Sequence, residues 1–159
     1  MAVKELGSIA EVRSTTLNEM ERLAKLLPEY EIVRAIGGAG GIYCPQLIAE
    51  IGDIRRFRKK SCLVSFAGME PPPCQSGKFE SNNRHISKQG SPHLRRVLFQ
   101  ICDGLLKGAP PNDPVYQYLD KKRTEGKNYY SYMTAAGSKF LRIYYARVTE
   151  MLNLKDSAK

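Results

Sequence analysis

The chain has 159 residues and a mass of 17.9 kDa, enough for one compact domain or a core with a helical extension. Hydrophobic residues make up 42% and charged residues 26%, and no apolar run approaches the roughly 18 residues of a membrane span, so a soluble globular protein is expected and a disordered or membrane-spanning one is excluded. Twenty-five Lys and Arg against sixteen Asp and Glu give a net charge of +9, which suits a polyanionic partner such as nucleic acid.

The amino terminus, "MAVKELGSIAEVRS", has neither an apolar h-region nor a small-residue cleavage site, so a cytoplasmic location is expected. From Leu17 the apolar residues fall at Leu17, Met20, Leu23, Ala24 and Leu27, one face of a helix ended by Pro28. The helix extends upstream less convincingly. Its apolar face fits either core packing or a docking and dimerisation arm, with Leu17, Met20, Leu23 and Leu27 as the seam.

A short apolar segment around Ile32, Val33 and Ile36 then meets Gly37, Gly38, Gly40 and Gly41, and a second apolar helix is expected over 46–51. Glycines permit positive φ and close backbone approach, and the flanking helix ends leave amides that can cradle a phosphate. The GxxxxGK[ST] pattern of a nucleotide P-loop is absent. "CLVSFAG" reads as an apolar helix with Ser65 buried inside it. Three prolines, Pro71 to Pro73, close it and open a long polar stretch, in which "GKFESNNRHIS" has the alternation of one short β-hairpin.

Ser91 and Pro92 have the residue types of an N-cap and first helical position, and Leu94, Val97, Leu98, Ile101 and Leu105 form the apolar stripe of the helix that follows. Arg95 and Arg96 fall mainly off that stripe. "GAPPNDP" is a linker, "VYQYLDKKRTEGK" a charged helix, and the last helix places Tyr132, Met133, Ala136, Phe140, Ile143, Tyr144 and Leu152 near one face, with Gly137 admitting a close neighbour.

The cysteines Cys44, Cys62, Cys74 and Cys102 never approach CxxC spacing, and His85 and His93 stand apart from any cysteine pair, so no metal site is expected. Free thiols of a reducing compartment are the better reading.

The order of "GGAGG", "LIAEIGDIRRF", "LVSFAGMEPP", "QSGKF", "HISKQGSPHLRR" and "KFLRIYYARV" resembles the carboxy-terminal domain of insertion-sequence transposases of the "IS one-ten" family. The hairpin departs from that family's usual Pro-Gly-Ile-Gly form, since Gly38, Ala39 and Gly40 stand there. The resemblance implies a mainly α fold with a helix-hairpin-helix core and flanking amphipathic helices. It divides the chain into an amino-terminal arm (1–30), a transposase core with a serine loop (31–107) and carboxy-terminal helices packing on that core (108–159). It also implies DNA recombination with a structured guide RNA, in an enzyme whose separate RuvC-like domain holds magnesium on four acidic residues. A chain of this length would then be a piece of the enzyme, inactive alone, binding no cofactor itself and acting as a homo-oligomer.

By the same resemblance the nucleophilic serine falls on Ser76 in "QSGK". A serine nucleophile needs activation, with cations and amides around the developing phosphoryl charge. Lys78, Arg84, His85, Lys88, Arg95 and Arg96, with the hairpin glycines Gly37, Gly38, Gly40 and Gly41, are the candidate DNA contacts. The alternative is a non-catalytic DNA- or RNA-binding helix-hairpin-helix module, or a transposon remnant.

Overall fold

A computed structural model describes residues 2–70 and 86–157. The described residues form seven α-helices and no strand: α1 (Ala2–Ala24), α2 (Tyr30–Arg34), α3 (Tyr43–Ile51), α4 (Lys60–Phe66), α5 (Pro92–Gly108), α6 (Pro114–Thr124) and α7 (Tyr129–Ser157), with a 3-10 turn at Ile54–Arg56. The expected β-hairpin lies outside the described residues apart from its last residues, Ile86 and Ser87, which are not in a strand.

The sequence signals at the helix starts are used as such. Ser91 Oγ accepts the amide of Leu94 at 3.0 Å and Pro92 opens α5. Asp113 caps α6 in the same way, with Pro114 next, and Asn128 Oδ1 accepts the amide of Ser131 at the start of α7. Each such cap contributes about 1 kcal/mol by occupying an amide that the helix leaves without a partner. Helix α3 begins at Tyr43, three residues before the expected start, with Pro45 in its first turn where a missing N–H costs nothing.

Helices α3, α4, α5, α6 and α7 surround one continuous apolar core that runs from Ala24 to Val148. The whole predicted stripe of α5 is inside it: Leu94, Val97, Leu98, Ile101 and Leu105, joined by Cys102. On α7 the buried face is Met133, Ala136, Gly137, Phe140, Leu141, Tyr144 and Val148, whereas the expected Tyr132, Ile143 and Leu152 lie half-buried at its margins. Gly137 is the close approach: a Cβ there would stand 2.7 Å from Met69 Cε and 3.6 Å from Leu98 Cβ.

Helix α1 is longer than its apolar pattern predicts. Only its last turns touch the body, where Ala24 is buried and Leu17 and Met20 are half-buried, with α3 as the neighbouring helix, while Leu23 and Leu27 stay exposed. Residues 2–16 are exposed throughout. Ion pairs at i,i+3 and i,i+4 spacing, Arg22–Glu19 and Lys25–Glu21, support its carboxy-terminal turns. None of the described helices is long and apolar enough to cross a membrane.

Candidate nucleic-acid interface and the base of the serine loop

Ser76, Lys78, Arg84 and His85 lie outside the described residues. What is described is the frame from which that segment departs and to which it returns. The end of α4 and the approach to α5 run side by side, joined by three backbone bonds: Ser91 N–H to Phe66 O at 2.8 Å, Lys88 N–H to Gly68 O at 3.1 Å, and Ser87 N–H to Glu70 O at 2.8 Å. Glu70 and Ser87, on either side of residues 71–85, are therefore joined by one hydrogen bond.

Two glycines allow this close approach. Gly68 has φ +64°, and a Cβ there would sit 2.7 Å from Arg95 Nη1 and 3.0 Å from the carbonyl carbon of Lys88. Gly90 has φ +152°, and a Cβ there would run into the carbonyl oxygen of Phe66 and stand 2.8 Å from the amide nitrogen of Gly68. Any side chain would force the two backbone segments apart.

Side chains lock the same junction. Arg95 Nη1 donates to Ala67 O at 2.9 Å, so this half-buried arginine ties α5 to the end of α4. Ser91 Oγ, besides capping α5, donates to Glu50 Oε2 at 2.9 Å and thus anchors α3. Ser65 is exposed rather than buried: it falls on the outer face of α4, and its hydroxyl donates to Glu70 Oε2. Lys88 sits beside the junction in the left-handed region at φ +54° and is exposed, and Arg96 on the first turns of α5 is exposed too.

The glycine turn between α2 and α3 divides into an inner and an outer half. Gly37 donates its amide to Asp113 Oδ2 at 3.1 Å, and that amide is not available to a phosphate. Gly38, at φ +79°, leaves room for a Cβ only 2.7 Å from Ile101 O and 2.8 Å from Leu105 Cγ. Both serve close packing on α5 and the start of α6. Gly40 faces open space, and Gly41 lies near Glu21, whose carboxylate would stand 3.4 Å from a Cβ placed there. Helix α3 starts without a side-chain cap, but the backbone itself takes most of the amides there: Gly40 N–H donates to Gly38 O at 3.0 Å, and Tyr43 and Cys44 N–H donate to Gly40 O at 3.1 and 3.0 Å. The Glu21 charge is partly balanced by Lys25 at 3.1 Å.

Among the described residues no group of three or more His, Cys, Asp or Glu side chains comes together as a metal site. The nearby carboxylates are engaged locally, Glu50 with Ser91, Glu70 with Ser65 and Asp53 with Arg55. This donor set does not fit a magnesium site.

One basic set lies outside the motifs that signal chemistry in the sequence. Arg55, Arg56, Arg58, Lys59 and Lys60 follow the turn after α3 and are all exposed. Their signal in the sequence is the run "RRFRKK".

A sequence profile of the transposase IS116/IS110/IS902 family matches residues 30–107, the stretch that holds the glycine turn, α3, α4, the loop base and α5. Residues 30–107 are thus a match to this transposase family. It is similar to the insertion element IS116 uncharacterized 44.8 kDa protein of Streptomyces clavuligerus, at 28% identity over 97 residues, covering 60% of this chain and 23% of the relative. It is also similar to the insertion element IS900 uncharacterized 42 kDa protein of Mycobacterium paratuberculosis, at 27% identity over 121 residues, covering 76% of this chain and 29% of that protein. The chain thus spans about a quarter of the length of the curated relatives it matches. The matched stretch carries a closed junction between α4 and α5, the exposed basic side chains Lys88 and Arg96 beside it, and the basic set at 55–60.

Proposed function

We propose that this transposase domain grips the DNA backbone and presents Ser76 as the nucleophile of strand exchange. The observation that carries the proposal is the junction at Glu70 and Ser87. A segment bearing a reactive serine needs both ends fixed, because a nucleophile held in a near-attack position gains rate from orientation. Here the ends are fixed by the close backbone approach at Gly68 and Gly90 and by the side-chain bonds of Arg95 and Ser91.

In the proposed step the Ser76 hydroxyl attacks a DNA phosphorus. An Oγ–P bond forms, the bond from phosphorus to one deoxyribose oxygen breaks, and the serine proton ends on that departing oxygen. The phosphoserine link keeps the bond energy until the hydroxyl of a new DNA end attacks the same phosphorus and restores the serine. Lys78, Arg84, His85, Lys88 and Arg96 supply charge beside the phosphoryl oxygens, and Arg95 holds the loop base through its bond to Ala67 O. Gly41 offers its backbone amide, whereas the Gly40 amide is held by Gly38 O, and Gly37 and Gly38 hold the turn against α5. Magnesium in the complete recombinase would be held by acidic residues outside this chain, and the guide RNA would be a further polyanionic partner. The exposed apolar residues of α1 make a second copy of the chain the partner of the arm.

The binding half of this reading is tested by fluorescence anisotropy of a labelled DNA duplex against salt. Backbone binding releases counterions, so log K should fall linearly with log salt, by about 0.9 for each phosphate neutralised. Absence of binding at low salt, or a flat response, would sink the reading.

A further inference from the structure

We infer that the turn from Arg55 to Lys60 is a phosphodiester-backbone binding surface, preorganised beside the serine-loop base; this rests on the nucleic-acid reading above. Five of these six consecutive residues are cationic and exposed, and the exception, Phe57, is buried with Ile54 as an anchor. The turn is rigid for stated reasons. Asp53 Oδ1 accepts the amide of Arg55 at 2.9 Å, and Tyr145 of α7 donates its hydroxyl to Phe57 O at 3.0 Å.

Carboxylates do not neutralise this charge. Arg55 pairs with Asp53 at 3.2 Å, but among the described residues Arg56, Arg58, Lys59 and Lys60 form no ion pair. Glu150 shares a shallow hollow with Lys60 without reaching it as a pair. The basic end of α6 behaves differently: Lys122 pairs with Glu125 at 2.7 Å and Arg123 with Asp120 at 2.8 Å. Two cations at that end are satisfied by neighbouring carboxylates, whereas among the described residues four of the five at 55–60 are not.

Arg56 connects the turn to the loop. Its guanidinium lies 4.7 Å from the Phe57 ring centroid and 4.6 Å from that of Phe66. Stacking uses the faces of the guanidinium and leaves its N–H edges for acceptors, in the planar geometry that matches phosphate oxygens. Phe66 is also the residue whose carbonyl accepts Ser91 N–H at the loop base. A phosphate held on Arg56 would therefore lie next to the junction from which the Ser76 segment departs.

The test compares the wild-type chain with the triple variant Arg58→Gln, Lys59→Gln, Lys60→Gln, and with a control at the carboxylate-paired cations, Lys122→Gln, Arg123→Gln, for binding to a DNA duplex and to a structured RNA. The triple variant should bind about tenfold or more weakly, and its log-log salt slope should be shallower by about 2.7, or about 0.9 for each of the three cations removed. The control should change little. Weaker binding of the duplex alone or of the RNA alone would support the surface and identify which backbone it meets. Unchanged affinity and slope for both would overturn it while leaving the wider reading intact, whereas a wild-type chain that binds neither would remove both. Lysine acetylation on the wild-type chain gives a check that needs no variant. Bound DNA or RNA should protect Lys59 and Lys60 and leave the reactivity of the carboxylate-paired Lys122 unchanged, and equal reactivity of Lys59 and Lys60 with and without nucleic acid would overturn the inference.

Discussion

Asp113 accepts the amide of Gly37 at 3.1 Å across a separation of 76 residues, while its other oxygen accepts the amides of Val115 and Tyr116 at 2.8 Å. One carboxylate thus starts α6 and fastens the glycine turn. Asp113→Ala should lower stability by about 2–3 kcal/mol, the sum of a lost cap and an amide left without its acceptor. Asp113→Asn has a single acceptor oxygen and should fall between the two. Urea unfolding followed by circular dichroism checks the order, and equal stability of wild type and Asp113→Ala would contradict it.

Gly90→Ala should open the loop base. Its Cβ would meet the backbone at Phe66 and Gly68, neither of which has a flexible end to move aside. We expect destabilisation by roughly 2 kcal/mol or more from strain and displaced backbone bonds. Hydrogen exchange should accelerate at the amides of Lys88 and Ser91 before it does in α5. Unaltered exchange at those two amides would refute the proposed junction.

Burial pushes the Cys44 thiol up from 9.0 to about 11 and the Cys102 thiol up to about 12. Both are raised in the folded chain, so the stability they contribute is complete below pH 9 and is lost as pH rises from 9 towards 12, because the unfolded chain ionises first. Iodoacetamide at about pH 8 should leave Cys44 and Cys102 unmodified in the native chain and label half-exposed Cys62. Labelling of Cys102 at the rate of Cys62, read by mass spectrometry, would show that the core is not closed around it.

Leu6, Ile9, Val12, Met20 and Leu23 lie within an arc of about 120° on α1, and Leu6, Ile9 and Val12 are 64–66% exposed. Two copies pairing along this stripe would cover it. Multi-angle light scattering should report a dimer that dissociates on Leu6→Glu with Ile9→Glu and on Leu23→Asp. A wild-type monomer at high concentration would count against self-association through α1.

Where the decisive signal is local, the sequence shows the structure. Ser91, Pro92 and the spacing from Leu94 to Leu105 predict α5 with its buried face intact, because cap chemistry and a 3.6-residue period both act within a few residues. The glycine turn shows the limit. Four glycines indicate that something approaches closely, but for Gly37 and Gly38 it is Asp113, Ile101 and Leu105 of the same chain, some 63 to 76 positions away by number. The pairing of Gly68 with Gly90 is hidden for the same reason. Ser65 turns outward against expectation because an apolar neighbourhood does not fix which face of a seven-residue helix meets solvent. Residues 2–16 of α1 carry an apolar stripe at Leu6, Ile9 and Val12 and are nevertheless exposed along their whole length, because helical periodicity marks a face without fixing what that face meets. The basic turn at 55–60 is visible as composition, but its lack of carboxylate partners is a property of the folded surface.

The role proposed for the loop stands or falls on Ser76 forming the covalent link to DNA. The direct measurement supplies this chain together with the acidic nuclease domain, magnesium and guide RNA proposed for the complete enzyme and a labelled DNA substrate, then isolates the DNA-bound peptide for mass spectrometry. A phosphoserine link is expected at Ser76, absent in Ser76→Ala and kept in Ser65→Ala and Ser87→Ala. A covalent adduct that survives Ser76→Ala, or one mapped to another residue, would refute that role.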